Sequence, residues 1–299
     1  MSIAAVTSRA PTALSPARQF LAHHAELRRA RAWRNGVGLA LFAAAFAVSA
    51  WIGDLDPRKI AAGLPRLGEF IEKILPEIRA GHVGADLAEW FLPWRIWLRL
   101  LGETILIAFL GSVLGTAGAL ALSFPASRNL MPVRAVQFAA RRTMEIARTV
   151  PELVYALIFV ICFGVGPMAG VLAIAVHTTG ALGKLYAEVN ENADPRPLEG
   201  LRAAGASWSQ TIRYALIPQV LPNFVSYTLL RFEINVRSSS IIGYVGAGGL
   251  GQEINTVIAM NTYVDLSALF LIIVLTVVAI DLTSERIRHA FIGREGLAP

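Results

Sequence analysis

The sequence predicts an all-α, polytopic membrane protein with six transmembrane helices. Hydrophobic residues make up 55% of its 299 residues and charged residues only 16%, which is too apolar for a soluble domain of this length. Apolar segments near the length that crosses a bilayer, about 20 residues, recur along the chain. The predicted spans are Gly36–Ile52, Thr104–Leu122, Val150–Val165, Met168–Gly183, Val220–Val236 and Leu266–Leu282. The span at residues 220–236 is the least apolar because it contains Pro222, Arg231 and Glu233, so we expect it inside the helix bundle.

The segments on either side of the first span differ in character. Residues 1–35 form a basic N-terminal arm, and the first span, residues 36–52, is expected to remain as an anchor because no signal-peptide pattern precedes it. Residues 53–100 form a long external loop in which apolar and charged positions alternate at helical spacing, and Pro65 and Pro76 are expected to break this pattern. The pattern is typical of an amphipathic segment lying along the outer membrane face and, equally, of a short helix packed on the bundle.

The distribution of Lys and Arg predicts that both termini are cytoplasmic. The N-terminal arm, the loops 123–149 and 184–219 and the tail 284–299 together hold 18 basic residues, against 8 in the three other loops. Basic residues concentrate on the cytoplasmic side of membrane proteins. Spread in this way, the net charge of +6 fits lipid headgroups and topology better than nucleic acid. The sequence therefore predicts a transmembrane core, residues 101–283, whose loop 184–219 faces the cytoplasm.

This cytoplasmic loop contains the segment EGLRAAGASWSQTIRYALIP, residues 199–218. Its pattern predicts a helix, a bend at Gly205 and a second helix that Pro218 ends. The small side chains at the bend allow another protein to approach the backbone closely, as a docking element requires. The residues expected to take part in docking are Glu199, Ala203, Ala204, Gly205, Ala206 and Pro218.

A second motif, RFEINVRSSSIIGYVGAGGLGQEI, covers residues 231–254. Its glycines indicate irregular backbone, which is tolerated at membrane depth where it is buried in protein or lines a cavity. A nucleotide-binding loop is disfavoured, because the glycines do not follow a strand of a βαβ unit and the chain contains no G-x-x-x-x-G-K-[ST] sequence.

Together with LIPQVLPNF (residues 216–224) and TVPELVYALIF (residues 149–159), these motifs closely resemble the permease of phosphonate ABC transporters, the PhnE type. The cytoplasmic segment also resembles the motif E-A-A-x-x-x-G, nine residues, I-x-L-P of ABC importer permeases. The Glu, Gly and Pro match, whereas Gly200, Leu201 and Ala215 depart from the general form. The resemblance extends from about Leu55 to the C-terminus and implies a type I ABC importer permease fold, also called MetI-like.

The resemblance also implies a function and a set of partners. The chain would be the permease subunit of a bacterial inner-membrane importer that translocates phosphonate or a related phosphorus oxyanion. Two cytoplasmic ATPase subunits would bind ATP and Mg, so that this chain binds no cofactor and is not itself an enzyme. A second permease copy or a paralogue and a periplasmic phosphonate-binding protein would complete the system, with membrane lipid around it. One alternative is a permease for another solute such as methionine, because methionine-importer permeases share a related glycine loop. An autonomous secondary transporter is a further alternative, although the sequence contains no inverted repeat.

Polar residues in and after the span at 220–236 are candidates for the translocation path, because charged groups within a span usually face protein or water. Basic groups there would favour an oxyanion. Alternatively, Glu233 and Arg237, four residues apart on a helix, form an internal ion pair that fixes helix packing. The candidate path residues are Arg231, Glu233, Asn235, Arg237, Ser239, Gly243, Gly246, Gly248 and Gly249.

Other residues receive structural interpretations. Glu152 follows Pro151 and suits the positive end of a starting helix. His177 is expected to be a hydrogen-bonded packing residue, because no second ligand lies at metal-binding spacing from it. Cys162 is expected to be a small core residue, and the glycines at positions 111, 115 and 118 form a stripe suited to close helix contact.

Overall fold

The computed structural model describes residues 16–79 and 81–292, and within these residues all regular structure is helical. The all-α prediction is therefore confirmed, while residues 1–15 of the N-terminal arm and residues 293–299 of the tail lie outside the described residues. The helices are α1 Pro16–Ile52, α2 Pro57–Ile74, α3 Val83–Trp90, α4 Trp94–Ala126, α5 Arg134–Thr149, α6 Glu152–Phe163, α7 Pro167–Glu191, α8 Pro195–Ala203, α9 Trp208–Thr211, α10 Ile217–Ile242, α11 Leu250–Ala259 and α12 Tyr263–Ile292. A π-helical turn, Ile212–Leu216, connects α9 to α10, and a 3₁₀ turn, Gly243–Val245, follows α10.

The chain divides into two compact units, one up to Phe70 and one from Ile71 onward. In the first unit, α1 contains the apolar stretch Leu27–Ile52, none of which is buried. Helix α2 runs without a break through Pro65, so the expectation that this proline interrupts the helical pattern is wrong. A proline removes one backbone hydrogen bond, and the regular helix on either side of it tolerates that loss here.

The second unit is a helix bundle built around α4 and α7. These two helices run in the same direction, since Gly111 lies against Ile174, and Gly115 lies one turn further along against Thr178. A β-carbon added to Gly115 would lie 2.6 Å from the Cβ of Thr178, so glycine is what allows the two helices to approach this closely. The predicted glycine stripe is thus confirmed as a helix-packing surface.

The prediction of six spans is not confirmed in number. Among the residues that the structure describes, four helices are long and apolar enough to cross a membrane, and a fifth span results if α5 and α6, which meet at an angle of 87°, are counted together. Helix α6 has 12 residues and is about 18 Å long, shorter than a hydrocarbon core of about 30 Å. Helix α10 has 26 residues, about 39 Å, but its charged residues exclude it from the purely apolar spans.

Two further sequence expectations are corrected. Pro218 does not end a helix; it lies in the first turn of α10, directly after the π-helical turn Ile212–Leu216. Cys162 is exposed rather than buried, because it lies on the outer side of the short helix α6.

Candidate functional site

The predicted docking segment is a rigid, capped helical element at the end of α7. The carboxylate of Asp194 accepts a hydrogen bond from the backbone N–H of Arg196 at 3.0 Å and so caps the start of α8. At the other side of the bend, Ser207 and Gln210 form a reciprocal capping box that starts α9. Each end of the bend is therefore fixed by local hydrogen bonds.

Gly205 lies at the bend itself, with φ at +83°. The N–H of Gly205 donates to the carbonyl of Arg202 and the N–H of Ala206 donates to the carbonyl of Leu201, both at 3.0 Å. This is the Schellman pattern, which needs a left-handed residue immediately after the helix and therefore favours glycine. No atom lies within 4 Å of an added β-carbon, so the local backbone rather than crowding within the chain requires the glycine.

Most of the predicted docking residues present their surface to solvent. Glu199, Ala203, Ala204, Gly205 and Pro218 are exposed, and Ala206 is half-buried. The opposite side of the segment is fixed to the bundle, because Leu198 and Ile212 share a buried cluster with Tyr186 and Phe224. The segment thus offers a firm, small-residue surface on a packed base.

Two polar contacts tie the same segment to the connection between α4 and α5. The indole N–H of Trp208 donates to the carbonyl of Leu130 at 3.0 Å, and the guanidinium of Arg202 donates to the carbonyl of Asn129 at 2.9 Å. An open cavity of about 360 Å³ lies between the two elements. The candidate docking surface therefore includes the chain around residues 128–132 as well as the segment that the sequence identified.

The positive charge of Arg231 in α10 is paired with a carboxylate inside the helix bundle. Its guanidinium donates to the carboxylate of Glu152 in α6, and the Nη2 atom lies 2.5 Å from Nδ1 of His177 in α7. Nδ1 of His177 is also 2.9 Å from Oε1 of Glu152. Only 12% of the Arg231 side chain and 11% of the Glu152 side chain are exposed. Glu152 does lie at the start of a helix as expected, but its carboxylate serves this ion pair.

The buried network continues along the same face of α10. The amide nitrogen of Asn235 donates to Ser112 of α4 at 2.8 Å and to Thr178 of α7 at 3.0 Å. One turn further on, the hydroxyl of Ser239 donates to the carbonyl of Thr104 at 3.1 Å. Arg231, Asn235 and Ser239 are four residues apart, so they form one stripe that faces α4 and α7.

Glu233 and Arg237 lie on another side of α10. Arg237 donates to Glu233 at 3.4 Å, which agrees with the predicted pairing over four residues. The Arg237 side chain is 57% exposed and that of Glu233 is 12% exposed. The candidate path residues therefore divide into an internal stripe and an exposed arginine beside a half-buried carboxylate.

The glycine loop after α10 is fixed to α4 and to the residue before α7, where the N–H of Gly166 donates to the carbonyl of Gly246 at 2.9 Å. Gly246, Gly248 and Gly249 all have φ between +71° and +92°, a region that side-chain-bearing residues rarely adopt. The N–H of Gly249 donates to Glu103 at 3.2 Å, and that of Leu250 donates to Thr104 at 2.8 Å.

Gly243 has a right-handed backbone, and it is required by crowding against the loop residues Gly248 and Gly251. The prediction that this irregular backbone is buried in protein is confirmed on its α4 side. The sequence analysis missed Glu103 and Thr104, although a carboxylate beside the start of an apolar span was a usable signal.

The described residues hold no group of three or more His, Cys, Asp or Glu side chains that could bind a metal ion. The chemistry that they offer is ion pairing, hydrogen bonding and protein docking.

Comparison with known proteins places these features in a family. The model of the family described as "Binding-protein-dependent transport system inner membrane component" matches residues 115–294. The phosphite transport system permease protein PtxC of Stutzerimonas stutzeri is 33% identical over 260 residues, which cover 87% of this chain and 90% of that protein. The phosphate-import permease protein PhnE of Mycolicibacterium smegmatis is 32% identical over 242 residues, which cover 81% of this chain and 43% of that protein.

The solved inward-facing structure of the MetNI methionine ABC transporter supports the same fold. It matches with a TM-score of 0.58 at 22% identity, covering 67% of this chain and 97% of that chain. This likeness confirms the expected MetI-like fold. The chain therefore belongs to the binding-protein-dependent transport system inner membrane components, the permease subunits of ABC importers.

Proposed function

We propose that the chain forms the transmembrane pathway of an ATP-driven importer of phosphonate, phosphite or a related phosphorus oxyanion. Two cytoplasmic ATPase subunits bind the docking segment and hydrolyse ATP with Mg, and a second permease copy or a paralogue completes the pathway. An external phosphonate-binding protein delivers the solute. Both termini lie in the cytoplasm, as the distribution of basic residues predicts.

The observation that carries the proposal is the exposed Gly205 bend on its packed base. A partner that pushes on a mobile loop moves only that loop, whereas a partner that pushes on α8 and α9 acts directly on the base of α10. The π-helical turn at residues 212–216 joins α9 to α10 without an intervening coil. ATP-driven motion of a bound subunit thus has a continuous helical route into the membrane.

The choice of solute class is supported by the relatives and by Arg237. Relatives that match more than four-fifths of this chain carry phosphite or phosphate transport in their names. A guanidinium binds the oxygens of a phosphorus oxyanion in bidentate fashion. Arg231 already pairs with Glu152 and His177, whereas Arg237 has an exposed side chain. An exposed charge at membrane depth is costly in lipid, so we infer that Arg237 faces the pathway rather than acyl chains.

A permease for another solute shares the docking segment and differs only in its ligand. The methionine transporter, at 22% identity, supports the fold but not the solute. An autonomous secondary transporter would work without an ATPase.

One preparation separates these alternatives. The full-length protein is purified from its native membranes with whatever binds to it, reconstituted in proteoliposomes and assayed for uptake of labelled phosphite. We expect an ABC ATPase to copurify, uptake to require ATP, and unlabelled phosphonate to compete. Uptake of labelled methionine by the same proteoliposomes, with no uptake of phosphite or phosphonate, would contradict the proposed solute. Uptake in the absence of any ATPase would contradict the class.

A further inference from the structure

The helix α2 has one continuous apolar face. Ile60, Leu64, Leu67 and Ile71 recur at spacings of four, three and four residues, which places them on one side of the helix. The charged residues of the helix lie on the opposite side. They are Arg58, Lys59, Arg66, Glu69, Glu72 and Lys73.

This apolar face is uncovered within its own unit. Helix α2 has no buried residue, and the Ile60, Leu64 and Leu67 side chains are 55%, 61% and 54% exposed. The sequence pattern is equally compatible with a helix that packs on a protein surface, so the occupant of this face has to be argued from the surroundings of α2 within its own unit. A row of large apolar groups facing water is unfavourable, so this face requires an occupant.

The connection to α1 indicates what the occupant is. The apolar stretch of α1 ends at Ile52, and only four residues separate it from the start of α2. These residues turn back on the last turn of α1, because the N–H of Gly53 donates to the carbonyl of Ser49 at 2.8 Å and that of Leu55 donates to the carbonyl of Ala50 at 2.9 Å. Helix α2 therefore begins where the preceding span leaves the membrane.

The charges of α2 fit the same occupant. Four basic and two acidic side chains give its polar face a net positive charge, which complements anionic lipid headgroups. Asp56 accepts a hydrogen bond from the N–H of Arg58 at 2.8 Å and so fixes the start of the helix at this level. An amphipathic helix with a fully charged polar face and low overall hydrophobicity is typical of segments that lie in the interface plane.

We propose that α2 lies flat on the membrane surface, with Ile60, Leu64 and Leu67 inserted among the lipid acyl chains and its charged face in water. The proposal depends on α1 as a membrane span and does not depend on which solute is carried. A second copy of the chain or another protein covering this face is the competing outcome.

The test uses the full-length protein in vesicles of phosphatidylcholine and phosphatidylglycerol. Cys162 is replaced by Ser, and single cysteines carrying a nitroxide label are placed at positions 60, 64 and 67 on the apolar face and at positions 62 and 69 on the polar face. Collision with oxygen, which partitions into lipid, is compared with collision with a water-soluble nickel chelate. We expect a several-fold higher oxygen-to-nickel ratio at positions 60, 64 and 67 than at positions 62 and 69.

Two results would overturn the proposal. Nickel access at all five positions would indicate a helix in water. Protection of positions 60, 64 and 67 from both reagents, with an immobilised spectrum, would indicate that a protein surface covers the apolar face. A single monodisperse peak in size-exclusion chromatography before reconstitution shows that each labelled variant is folded. Uptake of phosphite is not part of the readout, so a failure here is distinct from a failure of the proposed solute.

Discussion

Removing the carboxylate of Glu152 tests whether Arg231 stabilises helix packing through its ion pair with Glu152 or belongs to the translocation path. In Glu152→Gln, the buried guanidinium loses its charged partner and keeps only the new amide oxygen, His177 and Thr178 as polar neighbours. Breaking one side of a buried ion pair costs about 3–5 kcal/mol, because the remaining charge stays desolvated. Since Arg231 still donates a hydrogen bond to Thr178, we expect the unfolding free energy to fall by the lower end of this range, about 3 kcal/mol.

The double variant Glu152→Gln with Arg231→Met provides the internal comparison. Replacing both members of a buried pair by neutral groups of similar volume is often close to neutral, so we expect a loss of about 1 kcal/mol or less. The stability losses of the two single variants would then together exceed the loss of the double variant by more than about 2 kcal/mol, the size of coupling expected for residues in direct contact. For a helical unit of this size, 3 kcal/mol corresponds to a decrease of about 6–12 °C in melting temperature.

The assay heats the full-length protein in detergent and then measures by size-exclusion chromatography how much of it remains monodisperse. The melting temperature is the temperature at which half of the monodisperse protein is lost. The matched control is the same substitution at Glu233, Glu233→Gln, which breaks an ion pair within α10 whose arginine is exposed. Such a partly exposed pair contributes at most about 1 kcal/mol, so the control should shift by no more than about 4 °C. If Glu152→Gln shifts no more than the control, or if the two changes in the double variant simply add, then Arg231 is not held by Glu152 and regains its candidacy for the path.

Three further predictions concern the docking segment, the exposed arginine and the α4–α7 contact. Gly205→Asp should abolish copurification of the ATPase while the protein still inserts in the membrane. Gly205→Ala, which also carries a backbone strain of about 1 kcal/mol, should retain most of the bound ATPase, and equal retention by both variants would contradict the docking role. Arg237→Gln should weaken phosphite uptake about 10- to 100-fold, as expected for a lost charge-assisted hydrogen bond, while the ATPase still copurifies. Arg237→Lys should have an intermediate effect, and unchanged uptake in Arg237→Gln would remove Arg237 from the translocation path. Gly115→Val should lower the melting temperature, because the added side chain overpacks against Thr178 at a cost of about 1–3 kcal/mol in stability. Gly102→Ala in the same helix should be neutral or stabilising, because no atom lies within 4 Å of an added β-carbon there. Equal effects of the two changes would contradict the close approach of α4 and α7.

The helical elements followed from the sequence because helix-forming patterns are local. Apolar runs mark α4, α7 and α12. The break between α5 and α6 was readable at Pro151, because the residue before a proline avoids the helical region. Val150 is indeed extended, with φ −77° and ψ 126°. Counting residues 150–165 as one complete span overlooked how short the helix after this break is.

The partners of the charged residues did not follow from the sequence. Arg231 and Glu152 are 79 residues apart, and local spacing instead drew attention to Glu233 and Arg237, which are neighbours on one helix. Which side of α10 faces α4 and α7 depends on the packing of three helices, and a single helix pattern does not contain that information. The same holds for the glycine loop, whose fixed points on α4 lie 146 residues earlier in the chain.

Under the proposed function, the two faces of α10 would serve different purposes, one transmitting motion from the docking segment and the other contacting the solute. One face is joined to α4, α6 and α7 through Arg231, Asn235 and Ser239, which span two turns of the helix. Because breaking those buried contacts is costly, we infer that α10 moves together with α4 and α7 when a partner displaces the docking segment at its base. Arg237, on the exposed side of α10, would then keep its position relative to α4 and α7, while the groups outside these three helices that surround it would change. Nitroxide distances between α4 and α10 that stay constant on ATP binding would support this inference, and a change of several ångströms between these two helices would contradict it.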